Sequence, residues 1–197
     1  MNEQQAKRIR IYLTVAVLLA EIGHLAWEHF HGGIPSHHFL NRADMPAVSN
    51  GWGLLLLPAI SWLLVGIALR RSIATAAAAT INAPGGQTEA AGLARGVFVG
   101  FFAGLLFGAS LAATFSLGYQ DVTSILFFGM LLLALVFRVY RAECVLGFVL
   151  GFVLGMTFTF GAILPALVAS VVAVISAVVH RLLYPLARRA WTALGQG

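Results

Sequence analysis

Long apolar stretches separated by short polar segments dominate this chain. Six of the stretches approach the roughly 20 residues that a helix needs to cross the hydrocarbon core of a bilayer. The pattern predicts an all-α integral membrane protein, folded as a single transmembrane domain over residues 1–197. The predicted spans are residues 9–29, 51–69, 96–117, 122–140, 144–161 and 165–183.

Composition agrees with this interpretation. Hydrophobic residues make up 60% of the chain and charged residues only 10%, against about 25% charged in an average soluble domain, so a soluble globule is excluded. The 12 Lys and Arg residues stand in small groups at the ends of apolar stretches. That placement is typical of membrane-topology signals, so we expect the lipid bilayer as partner and no nucleic acid. A single cysteine, Cys144, excludes an internal disulfide and a CxxC motif.

Two segments need a choice between interpretations. The first apolar stretch follows Lys7, Arg8 and Arg10, as the apolar region of a signal peptide would, but its apolar character continues through Trp27 without an A-x-A cleavage pattern. We therefore interpret it as the first membrane helix. Residues 72–95 are rich in Ala and Thr and contain a Pro-Gly-Gly sequence, which predicts a long polar connector.

The basic residues predict the orientation. Lys and Arg near the ends of spans stay on the cytoplasmic side. With six spans and a cytoplasmic N-terminus, Arg42 is the one residue of the 12 that falls outside. A miscount of one helix would destroy this alternation. We therefore predict cytoplasmic N- and C-termini and a location in the inner membrane of a bacterium.

Glycine recurs at every fourth position in the third and fifth predicted spans. Such a stripe is flat, so a second helix can approach its backbone closely. We interpret both stripes as glycine-zipper surfaces for helix–helix partners, with a ligand or permeation path along them as the alternative. The glycines are Gly96, Gly100, Gly104 and Gly108 in one span and Gly147, Gly151 and Gly155 in the other.

Most residues capable of chemistry lie between positions 21 and 44, where five of the six histidines occur. Glu21, His24 and Glu28 are spaced at i, i+3 and i+7, so they share one helical face near the outer end of the first span. Residues 32–35, Gly-Gly-Ile-Pro, then turn the chain back over that face. Imidazoles and carboxylates are the usual ligands of Zn, Fe, Cu and Ni. The sequence predicts a transition-metal site with the ligands His24, Glu28, His31, His37 and His38.

Glu21 has a separate role in this hypothesis. If the helix leaves the membrane near His29, Glu21 lies about 12 Å deeper at the helical rise. A carboxylate at that depth is a functional candidate. We assign Glu21 as the catalytic candidate, or as the carboxylate that orients His24. The alternative is a solvated interfacial histidine loop, or a pH sensor.

Three functions are consistent with these patterns. The first is a membrane metalloenzyme that acts on a lipid-phase or extracytoplasmic substrate. The second is a metal transporter, which requires polar groups that continue inward from the site. The third is a non-catalytic accessory subunit of a larger membrane complex.

Overall fold

The computed structural model describes residues 3–34, 36–38, 44, 47–82, 86–155 and 163–194, and nearly all of them are helical. Two three-residue strands, β1 (Ser36–His38) and β2 (Ala47–Ser49), form an antiparallel pair. A 3-10 turn, Asn50–Trp52, links β2 to α2, and a π-helical turn, Val179–Leu183, links α6 to α7. The helices are α1 (Glu3–Phe30), α2 (Gly53–Asn82), α3 (Gly86–Ser116), α4 (Gln120–Val136), α5 (Ala142–Gly155), α6 (Ile163–Val178) and α7 (Tyr184–Leu194).

Four helical stretches are long and apolar enough to cross a membrane. They are Glu3–Phe30, Asn50–Ala74, Arg95–Ser116 and Leu164–Arg189. Helices α4 and α5 are apolar but shorter, at 17 and 14 residues. The predicted fifth span continues beyond Gly155 into residues 156–161, which lie outside the described residues. The described part of the chain is therefore a helical membrane protein with four candidate spans.

The predicted connector at residues 72–95 is wrong for most of its length. Helix α2 continues to Asn82 and α3 begins at Gly86, so residues 83–85 are the part of the connector outside the described helices. Ala is the strongest helix former, which explains why the Ala-rich sequence after Ile73 prolongs α2. The helix ends before Pro84, a residue that disfavours a helical conformation in the residue before it.

Helices α3 and α5 form the closest helix contact in the described bundle. A Cβ atom added at Gly104 would overlap the backbone carbonyl of Cys144, and one added at Gly151 would overlap that of Leu105. Only glycine permits this approach, so the two stripes lie in one contact. Gly96, at the start of the α3 stripe, has no such neighbour, so the contact covers only part of that stripe.

Helix α1 packs chiefly on α2. Near the N-terminal end of α1, Arg10 Nε donates a hydrogen bond of 2.8 Å to the carbonyl oxygen of Trp62, and its guanidinium lies 3.9 Å from the centre of the Trp62 ring. A cation over an indole ring is favourable. Gly66 makes room for this contact, because a Cβ atom there would overlap the guanidinium. Arg10 therefore attaches one end of α1 to α2.

Side chains from α6 and its continuation hold the last turn of α4. Ser176 and Tyr184 donate hydrogen bonds of 3.1 and 2.9 Å to the carbonyl oxygens of Phe137 and Leu135. His180 Nε2 lies 3.3 Å from the carbonyl oxygen between them. The last carbonyl groups of a helix have no partner within the helix. Ser176 of α6, His180 of the π-helical turn and Tyr184 of α7 therefore face the carbonyl groups that have no partner within α4.

Candidate functional site

Four polar side chains meet where the C-terminal part of α1 packs beside the start of α2. Glu21, His24 and Glu28 come from one face of α1, as their spacing predicts, and Asn50 comes from the 3-10 turn. We call these four residues the polar cluster. Glu21, Glu28 and Asn50 are only 6%, 3% and 4% exposed. Polar groups so deeply buried are costly unless they have partners.

His24 lies between the two carboxylates. Its Nδ1 is 3.8 Å from Glu21 Oε2, and its Nε2 is 3.7 Å from Glu28 Oε1. Both separations exceed an ordinary hydrogen bond of about 2.7–3.2 Å. The order of groups across the cluster is therefore carboxylate, imidazole, carboxylate, with a gap on each side of the ring.

Asn50 is a member of the cluster that sequence reasoning missed. Its Nδ2 donates a hydrogen bond of 2.8 Å to Glu28 Oε1. The turn that holds Asn50 is capped by Ser49, whose Oγ accepts a hydrogen bond of 3.2 Å from the Gly51 amide. A polar residue directly before the second apolar stretch was the available signal. Its partner on α1, 22 residues earlier, could not be read from spacing.

Gly53 makes room for Glu21. A Cβ atom added at Gly53 would overlap Glu21 Oε1. The backbone of Gly53 is ordinary right-handed helix, with φ −56° and ψ −37°, a conformation that any residue can adopt. Glycine is needed here because Glu21 lies so close, and not because of the backbone conformation. A larger residue would displace Glu21 from the cluster.

Two atoms of the cluster have unused hydrogen-bonding capacity. Glu28 Oε2 and Asn50 Oδ1 are buried and form no hydrogen bond within the described part of the chain. Leaving a buried polar group without a partner costs about 1–3 kcal/mol. These two oxygen atoms can therefore accept hydrogen bonds from a further group, or coordinate a cation.

The other predicted ligands do not join His24 and Glu28 among the described residues. His31 is exposed, its ring stacks on Trp27 with 4.1 Å between centroids, and its Nδ1 lies 2.8 Å from the Trp27 carbonyl oxygen. The backbones of His37 and His38 form β1, which pairs with β2 just before Asn50, but their side chains lie outside the described parts. No group of three or more His, Cys, Asp or Glu residues is placed to hold a metal ion in those parts.

A second buried carboxylate lies far along the bundle from the polar cluster. The Glu143 side chain, near the start of α5, is only 2% exposed, and its Oε1 accepts a hydrogen bond of 3.0 Å from Arg71 Nη2. Glu143 Oε2 is buried and forms no hydrogen bond with the described residues. This ion pair could not be predicted from the sequence, because its members are 72 residues apart.

The fold and the polar cluster define the class to which this chain belongs. It is a helical membrane protein with buried carboxylates and an imidazole at the junction of its first two helices. Comparisons with protein-family models, curated proteins and solved structures found no match for the chain.

Proposed function

We propose that the protein binds a cation at the polar cluster, on the extracytoplasmic side of the membrane. The observation that supports this proposal is the burial of two carboxylates around one imidazole. Within the described residues, no Lys or Arg forms an ion pair with Glu21 or Glu28. Two buried carboxylates that share one imidazole and have no Lys or Arg partner in the described parts are costly at membrane depth, and a bound cation would reduce that cost.

The cation that we propose is a transition-metal ion. The separation of 3.7 Å between His24 Nε2 and Glu28 Oε1 is a few tenths of an ångström longer than that of two ligands in a tetrahedral site with bonds of about 2.0–2.1 Å, so small shifts would let both atoms bind one ion. Glu21 faces the other ring nitrogen and would orient the imidazole, as carboxylates beside ligating histidines commonly do. The unpartnered Glu28 Oε2 also fits a ligand. The remaining ligands would come from the outer segment, from His31, His37 and His38.

Among the three functions, a metal-dependent enzyme with a lipid-phase substrate is favoured over a transporter. A transporter needs polar groups that lead from the site across the membrane. Between the polar cluster and Glu143, the walls that α1, α2, α3 and α5 present are mostly apolar, and Ser61 and Ser72 are the polar exceptions. An accessory subunit would contain no metal, which the following experiment tests.

Metal content of the purified protein tests the proposal. Protein prepared in detergent without chelators should contain stoichiometric metal by elemental analysis, and His24→Ala and Glu28→Gln should each remove most of it. Glu21→Gln should weaken affinity by about 10- to 100-fold without abolishing binding. His29→Ala is the matched control, because His29 is exposed in the same histidine-rich segment and is not a proposed ligand. Metal retained in the His24→Ala, Glu28→Gln double variant would refute the site.

We also propose six crossings with both termini in the cytoplasm, in which α4 and α5 belong to the two additional spans, predicted at residues 122–140 and 144–161. The support is the distribution of Lys and Arg, of which Arg42 alone falls outside in this arrangement. Reporter fusions after residues 36 and 120 should show an extracytoplasmic location, and fusions after residue 85 and at residue 197 a cytoplasmic one. A cytoplasmic signal after residue 36 would contradict both the topology and an outer metal site.

A further inference from the structure

A cavity of about 730 Å³ lies between α1, α2, α3 and α5 and begins at the polar cluster. We propose that it binds one single-chain amphiphile from the bilayer, with a hydrogen-bond-donating head at Glu21 and His24 and the chain directed toward Glu143. This inference names the substrate class of the proposed function. It rests on that function only in placing the head at the polar cluster.

The shape of the cavity fits a single chain. On α1 its lining residues extend from Ile9 to His24, a distance of about 22 Å at a rise of about 1.5 Å per residue. The cavity is therefore elongated along helices that cross the membrane, parallel to the lipid chains. Its volume lies within the range of about 300–1,000 Å³ that is usual for small-molecule sites.

The cavity wall is polar at its two ends and apolar in the middle. Glu21 and His24 line one end, Ser72 and Glu143 line the other, and most of the wall between them is Leu, Val, Ile, Phe and Ala. Such a wall favours a hydrocarbon chain over an ion or a polar metabolite.

Ser61 is the exception in the middle of the wall, and its hydroxyl group has capacity for a hydrogen bond to an occupant of the cavity. Its side chain is 0% exposed, and its Oγ forms no hydrogen bond within the described residues. Several other helix hydroxyls bond the carbonyl four residues earlier, as Ser72 does with Ala68 at 2.9 Å and Ser170 with Ala166 at 2.6 Å, whereas Thr14 Oγ1 on α1 also forms no hydrogen bond within the described residues. An oxygen atom of the ligand, or a water molecule bound with it, would satisfy Ser61 about 12 Å along α2 from Gly53.

The residues around the cavity define where an amphiphile enters and which end of the cavity its head occupies. Leu13 of α1, Phe98 of α3 and Leu154 of α5 line the cavity and are among the exposed apolar residues of the bundle, so we place the entrance from the bilayer beside them. At the far end, Arg71 neutralises Glu143 at 3.0 Å. The polar cluster instead has two carboxylates without a Lys or Arg partner in the described parts, so a hydrogen-bond donor binds there.

Photolabelling in lipid nanodiscs tests the inference. The probe is a long-chain primary alcohol with a diazirine midway along the chain, and the labelled residues are mapped by peptide sequencing. We expect labelling on the cavity-facing parts of α2 and α3, competed by the unlabelled alcohol and more weakly by its methyl ether, which lacks a donor. Labelling spread over the lipid-facing surface, without competition, would overturn the inference.

Variants make the test specific to the cavity. Ala16 lines the cavity on α1, so Ala16→Trp should fill it and remove most of the labelling. Ala59→Trp is the matched control, because Ala59 is exposed on α2 outside the lining, and it should label normally. Ser61→Ala, which removes a single oxygen atom, should weaken competition by the alcohol while leaving the thermal midpoint unchanged. Unaltered labelling in Ala16→Trp, together with unaltered competition by the alcohol in Ser61→Ala, would refute the cavity site.

Metal content distinguishes this inference from the proposed function. Ala16→Trp should retain the metal while losing the label. Specific labelling of a metal-free protein would overturn the metal site and support the amphiphile site in the cavity. Stoichiometric metal without specific labelling would support the metal site and overturn the amphiphile site.

Discussion

The two helix pairs at the centre of this bundle are built on opposite principles. In the α3–α5 pair, glycines such as Gly104 and Gly151 bring the backbones so close that an added methyl group would overlap the facing carbonyl. In the α1–α2 pair, contact depends on long polar side chains, with Arg10 at one end and the polar cluster at the other. Between the two pairs lies a large cavity.

This difference suggests that the α3–α5 pair stabilises the bundle, while the α1–α2 pair carries the candidate site. Apolar burial does little to drive helices together within lipid, so close backbone packing is a main source of association there. The α3–α5 pair has that packing, while the α1–α2 pair leaves space and keeps Glu21, Glu28, Asn50 and Ser61 buried. We infer that α3 and α5 form the rigid frame against which α1 and α2 hold the site.

The largest loss of stability is expected when one methyl group is added to the close contact between α3 and α5. Gly151→Ala would place Cβ against the Leu105 carbonyl and force the helices apart, at about 1–3 kcal/mol for overpacking, only partly offset by the higher helix propensity of Ala, about 1 kcal/mol. We expect the thermal midpoint in detergent to fall by several degrees, measured by the loss of circular dichroism on heating.

Gly96→Ala is the matched control for that change. It lies in the α3 stripe, but an added Cβ there meets nothing within 4 Å, so the variant should be neutral or slightly more stable. Equal midpoints for Gly151→Ala and Gly96→Ala would show that α3 and α5 are not closely packed.

A smaller effect is expected from the same change in the open pair. Gly53→Ala would displace the Glu21 carboxylate, which lies at the end of a flexible side chain, so stability should change less than in Gly151→Ala. Metal affinity should fall as in Glu21→Gln, by about 10- to 100-fold in calorimetric titration. Adding Glu21→Asp, which shortens the side chain, should recover part of that loss.

The control for Gly53→Ala is Gly23→Ala on α1, where an added Cβ has nothing within 4 Å. It should leave both affinity and stability unchanged. A Gly53→Ala variant that binds metal normally would show that the position of Glu21 does not matter to the site.

Local periodicity explains which features the sequence could predict. The shared face of Glu21, His24 and Glu28 follows from the helical repeat alone. The four-residue spacing of glycines predicted close helix contacts at Gly104 and Gly151, but not that α3 and α5 are each other's partner. Features made by distant residues were missed, such as Asn50 on Glu28 and Arg71 on Glu143, because spacing along one helix does not show which helix lies opposite. The connector after Arg71 failed differently, because turn-forming residues were weighted above the helix propensity of Ala.

The cap on α4 has a consequence for how the protein is made. The carbonyl groups that end α4 are bonded by Ser176 and Tyr184 and faced by His180. These three residues follow their carbonyl partners by 39 to 49 positions along the chain, so they are synthesised later. Until then these carbonyl groups lack the partners that they have in the folded bundle. We therefore expect α4 to reach its final packing only after the last helices have been synthesised.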